Sequence, residues 1–410
     1  MRLKVGIYTA AYPGVNGAGG IATYTESLAL GLVQLGHEVH VLTLGDETES
    51  HRIKNVHIHF ARKKYLGGLE RWIPGAREAW AVSARARELA REHQLDIFEF
   101  PNWEGRGAFF KYGFGAPPMV VRLHTSLEET LALEKKSRTL GQRFECALER
   151  AACLRADALY VSTRAHRTHM AEELRIPEAR MSVLPLGIPD VSESAARQPR
   201  PRGKTPIVLC LGRLERRKGS ATLLQAVPEI VKHCADVQII FAGKDRSHAP
   251  GNVTHQEYFA KNFPSSLQRN VVFNGFTSDA DLRDLFQRAD VLVAPSLYES
   301  FGLIFIEAMR WSVPVIGTRV GGIPEIITDG VDGVLVPPAS PPHLAEAIVR
   351  VLSDEPLRLR LAHNGRQTYE QRFTHHAMAA RTAAYFQSII AAPVAKGAVP
   401  RPLHSPAHWS

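Results

Sequence analysis

Residues 291–311 read VLVAPSLYESFGLIFIEAMRW, in which the apolar run VLVAPS passes through a short loop, Leu297 to Gly302, into a segment with helical spacing. This is a strand, a tight loop and a helix. Two carboxylates bracket the loop. Glu299 precedes Gly302, and Glu307 lies about one turn into the helix, its side chain leaning back toward the N-terminus. The first backbone N–H groups of a helix have no partner within it, so those around Phe301, Gly302, Leu303 and Ile304 can hold phosphate oxygens. The flanking carboxylates accept hydrogen bonds from hydroxyl groups. A ligand with a diphosphate between two polyhydroxylated rings suits both chemistries. The bland alternative is that the E-x7-E spacing is accidental and that Glu307 only complements the helix dipole.

The flanking sequence supplies the context. IVLCLG (207–212), QIIFAG (238–243), VVFNGF (271–276) and VPVIGT (313–318) read as further strands separated by helical stretches, which predicts a doubly wound parallel sheet. The turn RLERRKG follows the first of them. It carries Arg213 and Lys218 beyond a strand end, where they neutralise a diphosphate or form an ordinary solvated basic turn. Asp279 and Asp281 look like a metal-binding D-x-D, but they follow Ser278 at the start of LRDLFQ, so helix capping accounts for them.

A length of 410 residues calls for two domains. The N-terminal one opens with the strand at residues 3–10, the glycine-rich loop AYPGVNGAGG, a helix from Ile21 to Leu35 and the strand EVHVLTL. Gly17, Gly19 and Ala22 match G-x-G-x-x-A, and Asp46 follows the second strand, as in a dinucleotide fold. Here about six loop residues separate Ala10 from the first glycine of the motif, whereas a dinucleotide turn follows its strand almost at once. A flap over a ligand fits better, its glycines letting the backbone approach phosphate. Strands LDIFEF and PPMVVRLHT, a long helix near 128–155 and the strand DALYVST continue the alternation. His124 sits at the C-terminal end of its strand, where such sheets place ligands. Glu99 and Trp103 in FEFPNWEG are weaker candidates for an acceptor pocket. The Pro-, Arg- and Ser-rich residues 191–206 read as a linker, and the Pro-rich residues 391–410 as a disordered tail.

The net charge is +9, and much of the excess is local: residues 52–91 carry ten Lys or Arg against Glu70, Glu78 and Glu88. Tyr65, Leu66, Leu69, Trp72 and Ile73 interleave with that run, as suits an anionic membrane surface or an acidic lipid-linked acceptor; a solvated helix face with its aromatics in the core is the alternative. Nothing resembles a helix-turn-helix, zinc-finger or RNA-binding signature, so no nucleic-acid partner is expected. Cys146, Cys153, Cys210 and Cys234 lack C-x2-C spacing and read as reduced thiols of a cytoplasmic protein. Tyr8, Tyr12 and Pro13 interrupt the first apolar residues before a signal-type core forms, so export is not expected.

With these motifs in place, GAGGIATYTESLALGLVQLGHEVHVLT, VLPLGI, GRLERRKG, PSLYESFGLIFIEAM and PVIGTRVGGIPEII, the chain resembles the retaining nucleotide-sugar glycosyltransferases of family four, glycosyl transferases group 1. The likeness extends to about residue 390 and is strongest from 207 to 352. It implies an α/β protein of the GT-B fold, two doubly wound Rossmann-like domains facing each other across a donor/acceptor cleft. The N-terminal, acceptor-side domain would span 1–190 and the donor domain 207–365, with helices at 366–390 returning toward the first domain.

By resemblance, Gly19 and Gly20 lie near the donor phosphates and His124 faces the donor sugar. Arg213 and Lys218 bind the diphosphate, Glu299 the sugar hydroxyls and Glu307 the ribose, while the backbone of Phe301, Gly302, Leu303 and Ile304 cradles phosphate. Such enzymes need no metal in the site and no cofactor beyond the UDP- or GDP-linked donor. The acceptor would be a glycan, a lipid-linked sugar or a small molecule, and the enzyme cytoplasmic or peripheral to the inner face of the membrane. Pro189 stands where the family commonly has Asp or Asn, and AGKD replaces a glycine-flanked run near the expected base pocket. A nucleotide-sugar epimerase or phosphorylase-like enzyme on the same scaffold, a noncatalytic nucleotide-sugar binder and an NAD-dependent enzyme are the rival readings.

Overall fold

The computed structural model describes the chain except residues 18, 47–49, 63–74, 113–114, 135–136, 192–204, 277 and 393–410, and the side chain of Asp279. The basic run with Lys63, Lys64 and Arg71, nearly all of the 191–206 linker and the tail from 393 lie outside the described residues. Two compact units emerge, Met1–Pro189 with the chain from Thr374 onward, and Asp190–Phe373.

The sheet of the first unit contains β1 (Lys4–Tyr8), β2 (Glu38–Leu44), β3 (His51–Ile53), β4 (Val56–Ala61), β5 (Ile97–Pro101), β6 (Met119–Arg122), β7 (Ala158–Val161) and β8 (Met181–Val183). Their order is β3-β4-β2-β1-β5-β6-β7-β8. Only the short β3 is antiparallel to its neighbour. Both faces of a parallel sheet are covered by crossover helices, so its strands run almost wholly apolar: Val5, Ile7, Val39, Val41, Phe98, Val120 and Val121 are all buried.

The sheet of the second unit contains β9 (Ile207–Leu211), β10 (Gln238–Ala242), β11 (Val271–Gly275), β12 (Val291–Ala294), β13 (Val315–Thr318) and β14 (Val334–Val336). Its order, β11-β10-β9-β12-β13-β14, makes it a fully parallel doubly wound sheet. The direction of winding reverses between β9 and β12. Loops leaving those two strands diverge, and the crevice they leave is where such sheets bind ligands. RLERRKG follows β9 and SLYESFG follows β12.

Two expectations are corrected. The helix expected near 128–155 is two helices, Leu127–Leu133 and Leu140–Arg155, each opened by a capping box, Ser126 with Glu129 and Thr139 with Gln142. Each box satisfies two otherwise unpaired N–H groups and so starts a new helix. The C-terminal boundary also falls later than residue 366. The helix Glu355–Arg372 runs unbroken through it, with Gly365 set where a Cβ would come 3.3 Å from the carbonyl oxygen of Asp332, and belongs to the second unit.

The chain changes unit at Phe373, and Thr374 caps the last helix, His375–Ala391. That helix packs on Gly20–Gln34 within the first unit, where the Tyr385 hydroxyl donates to the Leu159 carbonyl at 3.0 Å. Among the described residues no helix is long and apolar enough to cross a membrane.

Candidate functional site

In the second unit the loop after β12 is held from both sides. The Leu297 N–H donates to the Arg217 carbonyl at 2.7 Å, and the Gly322 N–H to the Glu299 carbonyl at 2.9 Å. Two left-handed glycines, Gly219 (φ +68°) and Gly321 (φ +50°), permit this closeness. A Cβ on Gly219 would land on the carbonyl oxygen of Pro295, and one on Gly321 on that of Glu299. The turns after β9, β12 and β13 therefore interlock by backbone contact.

This brings together the charges that the sequence distributes over two motifs. Glu299 is buried. Lys218 pairs with one of its carboxylate oxygens, Arg217 lies 3.9 Å from the other, and the Ser296 hydroxyl stands 3.5 Å away. Arg217 also reaches Glu215, likewise buried, at 3.2 Å. Glu215 in turn holds Arg213 at 3.0 Å, whose side chain is 56% exposed. The result is an alternating series, Arg213, Glu215, Arg217, Glu299, Lys218, with three cations to two anions. Glu299 and Lys218, read separately from the two motifs, are partners of each other here. Arg217 and Glu215 were missed, although the run E-R-R-K was visible.

The helix Leu303–Arg310 follows, with Gly302 as a left-handed N-cap (φ +105°) and no side-chain cap. Its first turn is therefore available to an anion through backbone N–H groups. Phe301 contributes only backbone, since its ring is buried edge-on against Phe373 at 5.9 Å. Leu303, Ile304 and Glu307 are half-buried. In AGKD, Asp245 accepts from the N–H groups of His255 and Gln256, both at 3.0 Å, and from the His255 ring at 2.9 Å. That acid is committed to starting the helix His255–Asn262.

In the first unit, Gly19 is the N-cap of the helix Gly20–Gln34, again without a side-chain cap. Both glycines are exposed, and a Cβ on either would meet nothing within 4 Å. Asn16 ties the preceding loop to β2, accepting from the Tyr12 N–H at 2.7 Å and donating to the Thr43 hydroxyl at 3.0 Å and the Leu44 carbonyl at 2.6 Å.

His124 follows β6. Its N–H donates to Asn102 Oδ1 at 2.7 Å and its carbonyl accepts from Asn102 Nδ2 at 3.1 Å. The ring lies edge-on to Tyr24, centroids 5.4 Å apart, and Nε2 is buried without a hydrogen-bond partner among the described residues. Burial, reinforced by the charge of Arg122, holds this imidazole well below its usual range, so it is neutral.

Glu99 is not an acceptor-pocket residue. It is buried, accepting from the Tyr24 hydroxyl at 2.7 Å and from that of Tyr160, and burial pushes its carboxyl up. The Arg122 guanidinium lies 4.4 Å over Tyr24 and 4.7 Å over Tyr160. This network braces Tyr24, against which the His124 ring rests.

The two sheets and the charged series at a topological switch point define a nucleotide-type α/β scaffold. Residues 18–191 match the model of Glycosyltransferase Family 4, and residues 191–368 that of Glycosyl transferases group 1. The chain belongs to this glycosyltransferase family. Alpha-D-kanosaminyltransferase of Streptomyces kanamyceticus is 28% identical over 315 residues, covering 73% of this chain and 78% of that one. Sucrose-phosphate synthase from Thermosynechococcus elongatus superposes with a TM-score of 0.74 at 22% identity, covering 96% of this chain and all of that one. The Anabaena protein HepE, solved with UDP and glucose, gives 0.67 at 19% identity over 94% of this chain and all of that one. These structural likenesses place the chain in the GT-B fold.

Proposed function

We propose that this glycosyltransferase is a retaining, metal-independent hexosyltransferase that takes its sugar from a UDP- or GDP-linked donor and passes it to a hydroxyl acceptor. The acceptor is a glycan, a lipid-linked sugar or a small molecule, reached in the cytoplasm or at an anionic membrane face through the basic residues 52–91. One observation carries the reading. The Arg213–Glu215–Arg217–Glu299–Lys218 series ends beside an uncapped helix N-terminus at the switch point of the sheet. A relative that transfers kanosamine and a fold neighbour that holds UDP and glucose support it.

The series suggests how the site works. Diphosphate oxygens compete with Glu299 for Lys218, and the exposed Arg213 adds a second cation. Glu299, relieved of its partner, then accepts hydrogen bonds from the sugar hydroxyls. As the bond from sugar to diphosphate breaks, negative charge grows on the leaving group, and Lys218, Arg213 and the N–H groups at Leu303 and Ile304 stabilise it where water is excluded. These fixed cations supply the charge neutralisation for which a divalent ion would otherwise be needed. The neutral His124 offers Nε2 to a donor-sugar hydroxyl. Front-face attack by the acceptor retains the anomeric configuration without a protein nucleophile.

The test is a panel of nucleoside diphosphates and their sugars, read first by thermal shift. A ligand at 100 times its dissociation constant stabilises the native state by about 2.7 kcal/mol. The cognate donor is then incubated with chelator and acceptor alcohols, and the product's anomeric configuration is read by NMR. An inverted product, or turnover abolished by chelation and restored by a divalent ion, overturns the mechanism.

A further inference from the structure

Away from its glycine loop and His124, the first unit gathers four histidines. His40 comes from β2, His57 and His59 from β4, and His93 closes the helix Ala76–His93. The position is toward the N-terminal ends of the strands. The His93 carbonyl accepts from the ammonium of Lys4, the first residue of β1, whereas the glycine loop and His124 follow the C-terminal ends of β1 and β6.

The register of the sheet makes the cluster. β2 and β4 pair in parallel with His40 opposite His57 and Leu42 opposite His59, so the two β4 imidazoles flank that of His40 on one face. His40 stacks on His57 with centroids 4.7 Å apart and planes at 10°, and on His59 at 5.2 Å and 14°. The ring of His93 closes over the same spot, 4.2 Å from His40 and 5.2 Å from His59. His40 and His59 are buried and His93 is half-buried. Elsewhere β2 and β4 carry Val39, Val41, Leu42, Val56, Ile58 and Phe60, so polar rings here are a departure from the sheet's own composition.

One ring nitrogen each from His40, His59 and His93 lies within 4.8 Å of the other two. His40 Nδ1 and His59 Nε2 are 3.0 Å apart, and His40 Nε2 stands 3.1 Å from Glu38 Oε1. The Glu38 carboxylate accepts from His40 Nε2–H, which leaves the Nδ1 lone pair facing His59. This is the carboxylate–histidine arrangement that orients imidazoles toward metals. In a tetrahedral site with zinc–nitrogen bonds of about 2.05 Å, ligand nitrogens stand about 3.3 Å apart. The His40–His59 pair is already near that spacing, and His93, at a helix end, has only to close in.

We propose that His40, His59 and His93 form a binding site for one divalent transition ion of the zinc type, with Glu38 orienting His40 and water completing the coordination. Three imidazoles suit zinc, copper or nickel and not magnesium or calcium. The ion ties β2, β4 and the helix Ala76–His93 together at a place where no disulfide is formed, and takes no part in sugar transfer. Glu38 supplies the compensating negative charge. The nearby Arg85 is engaged by Glu88 and Glu92, at 3.3 and 3.1 Å.

The probe is the metal alone. The full chain is stripped with a chelator, checked for folding by circular dichroism, and titrated with Zn2+ by calorimetry and with Co2+ by visible absorption. The expected result is one equivalent bound, a raised unfolding midpoint and the intense d–d bands of a four-coordinate Co2+ ion. His93→Ala, chosen because a half-buried residue at a helix end is removed with least damage to the fold, should weaken binding at least tenfold. Glu38→Gln, which keeps the fold and changes only the orienting group, should weaken it about tenfold or more. Stoichiometric binding unchanged in His93→Ala would trace the metal to other histidines and overturn the site. So would the weak, six-coordinate Co2+ spectrum, or no binding by the folded wild type.

Discussion

Lys218 pairs with one carboxylate oxygen of Glu299 while Arg217 stands 3.9 Å from the other, so two groups from motifs 81 residues apart form one ionic unit around a buried carboxylate. A cation meant for phosphate is thereby kept oriented by an acid meant for hydroxyls. Glu299→Ala frees Lys218 for diphosphate, so nucleoside diphosphate affinity should be maintained or rise, while turnover falls by two orders of magnitude or so, the scale of losing a charge-assisted contact made in the transition state. Lys218→Ala and Glu307→Ala should each weaken nucleoside diphosphate binding on the order of ten- to a hundredfold, since charge-assisted hydrogen bonds contribute about 1.5–3 kcal/mol. Calorimetry with the diphosphate on the three folded variants decides. Equal loss of affinity in Glu299→Ala would remove the exchange of partners.

Arg217 and Arg213 should separate stability from binding. Arg217 lies between Glu215 and Glu299, both buried; its removal leaves each with its other cation, Arg213 or Lys218, but takes away the bridge between them, at a cost of about 1.5–3 kcal/mol, the scale of a hydrogen bond to a charged group. The exposed Arg213 contributes about 0–1 kcal/mol through its surface pair. Arg217→Ala should therefore lower the denaturation midpoint sharply, and Arg213→Ala hardly at all. The order reverses for diphosphate affinity measured per folded molecule, where Arg213→Ala loses more.

Much of this was legible in the chain. The strand–loop–helix at 291–311, both doubly wound sheets and the placement of Arg213, Lys218, Glu299 and His124 at strand ends follow from local patterns. What was not legible depends on register between distant segments. That Lys218 faces Glu299 needs the adjacency of β9 and β12, and that His57 and His59 flank His40 needs the pairing of β2 with β4. The Glu99 carboxylate was misassigned because a strand-end acid looks the same in sequence whether it points outward or, as here, into a tyrosine pair. The capping boxes at Ser126 and Thr139 were visible as S-x-x-E and T-x-x-Q but lay within an apolar periodicity long enough to read as one helix.

The glycines make a paired prediction. Gly219→Ala puts a Cβ onto the Pro295 carbonyl at a left-handed φ, so the turns after β9 and β12 must part. Turnover should fall at least a hundredfold with a lowered melting temperature, because a displacement of about 1 Å at a catalytic group costs that much. Gly20→Ala meets nothing within 4 Å and should leave the melting temperature unchanged. Any rise in its donor KM then reports phosphate passing close to that backbone. A donor KM equal to that of the wild type would remove Gly20 from the donor site.

A last prediction concerns pH. Glu149 is buried in the first unit, its two oxygens accepting from the Glu104 N–H at 2.9 Å and the Leu127 N–H at 3.1 Å. Burial pushes its carboxyl from an ordinary 4.5 up to about 8, with the charges of Glu173 and Glu104 adding to the rise and the backbone donors opposing it. The folded chain thus keeps a proton that the unfolded chain releases once pH passes 4.5. Stability from this group is full below that value and falls as pH climbs toward 8, by up to about 1.4 kcal/mol per pH unit, flattening above it. Glu149→Gln cannot ionise. It gives up one acceptor and is less stable at the acidic end, but its stability should decline less steeply. Histidines with lowered values, such as His40 at about 4, add a dependence of opposite sign below 6.5, so the comparison belongs between pH 7 and 8. Urea midpoints of wild type and Glu149→Gln across that interval should converge as pH rises. Parallel lines would show that Glu149 is already ionised in the native protein.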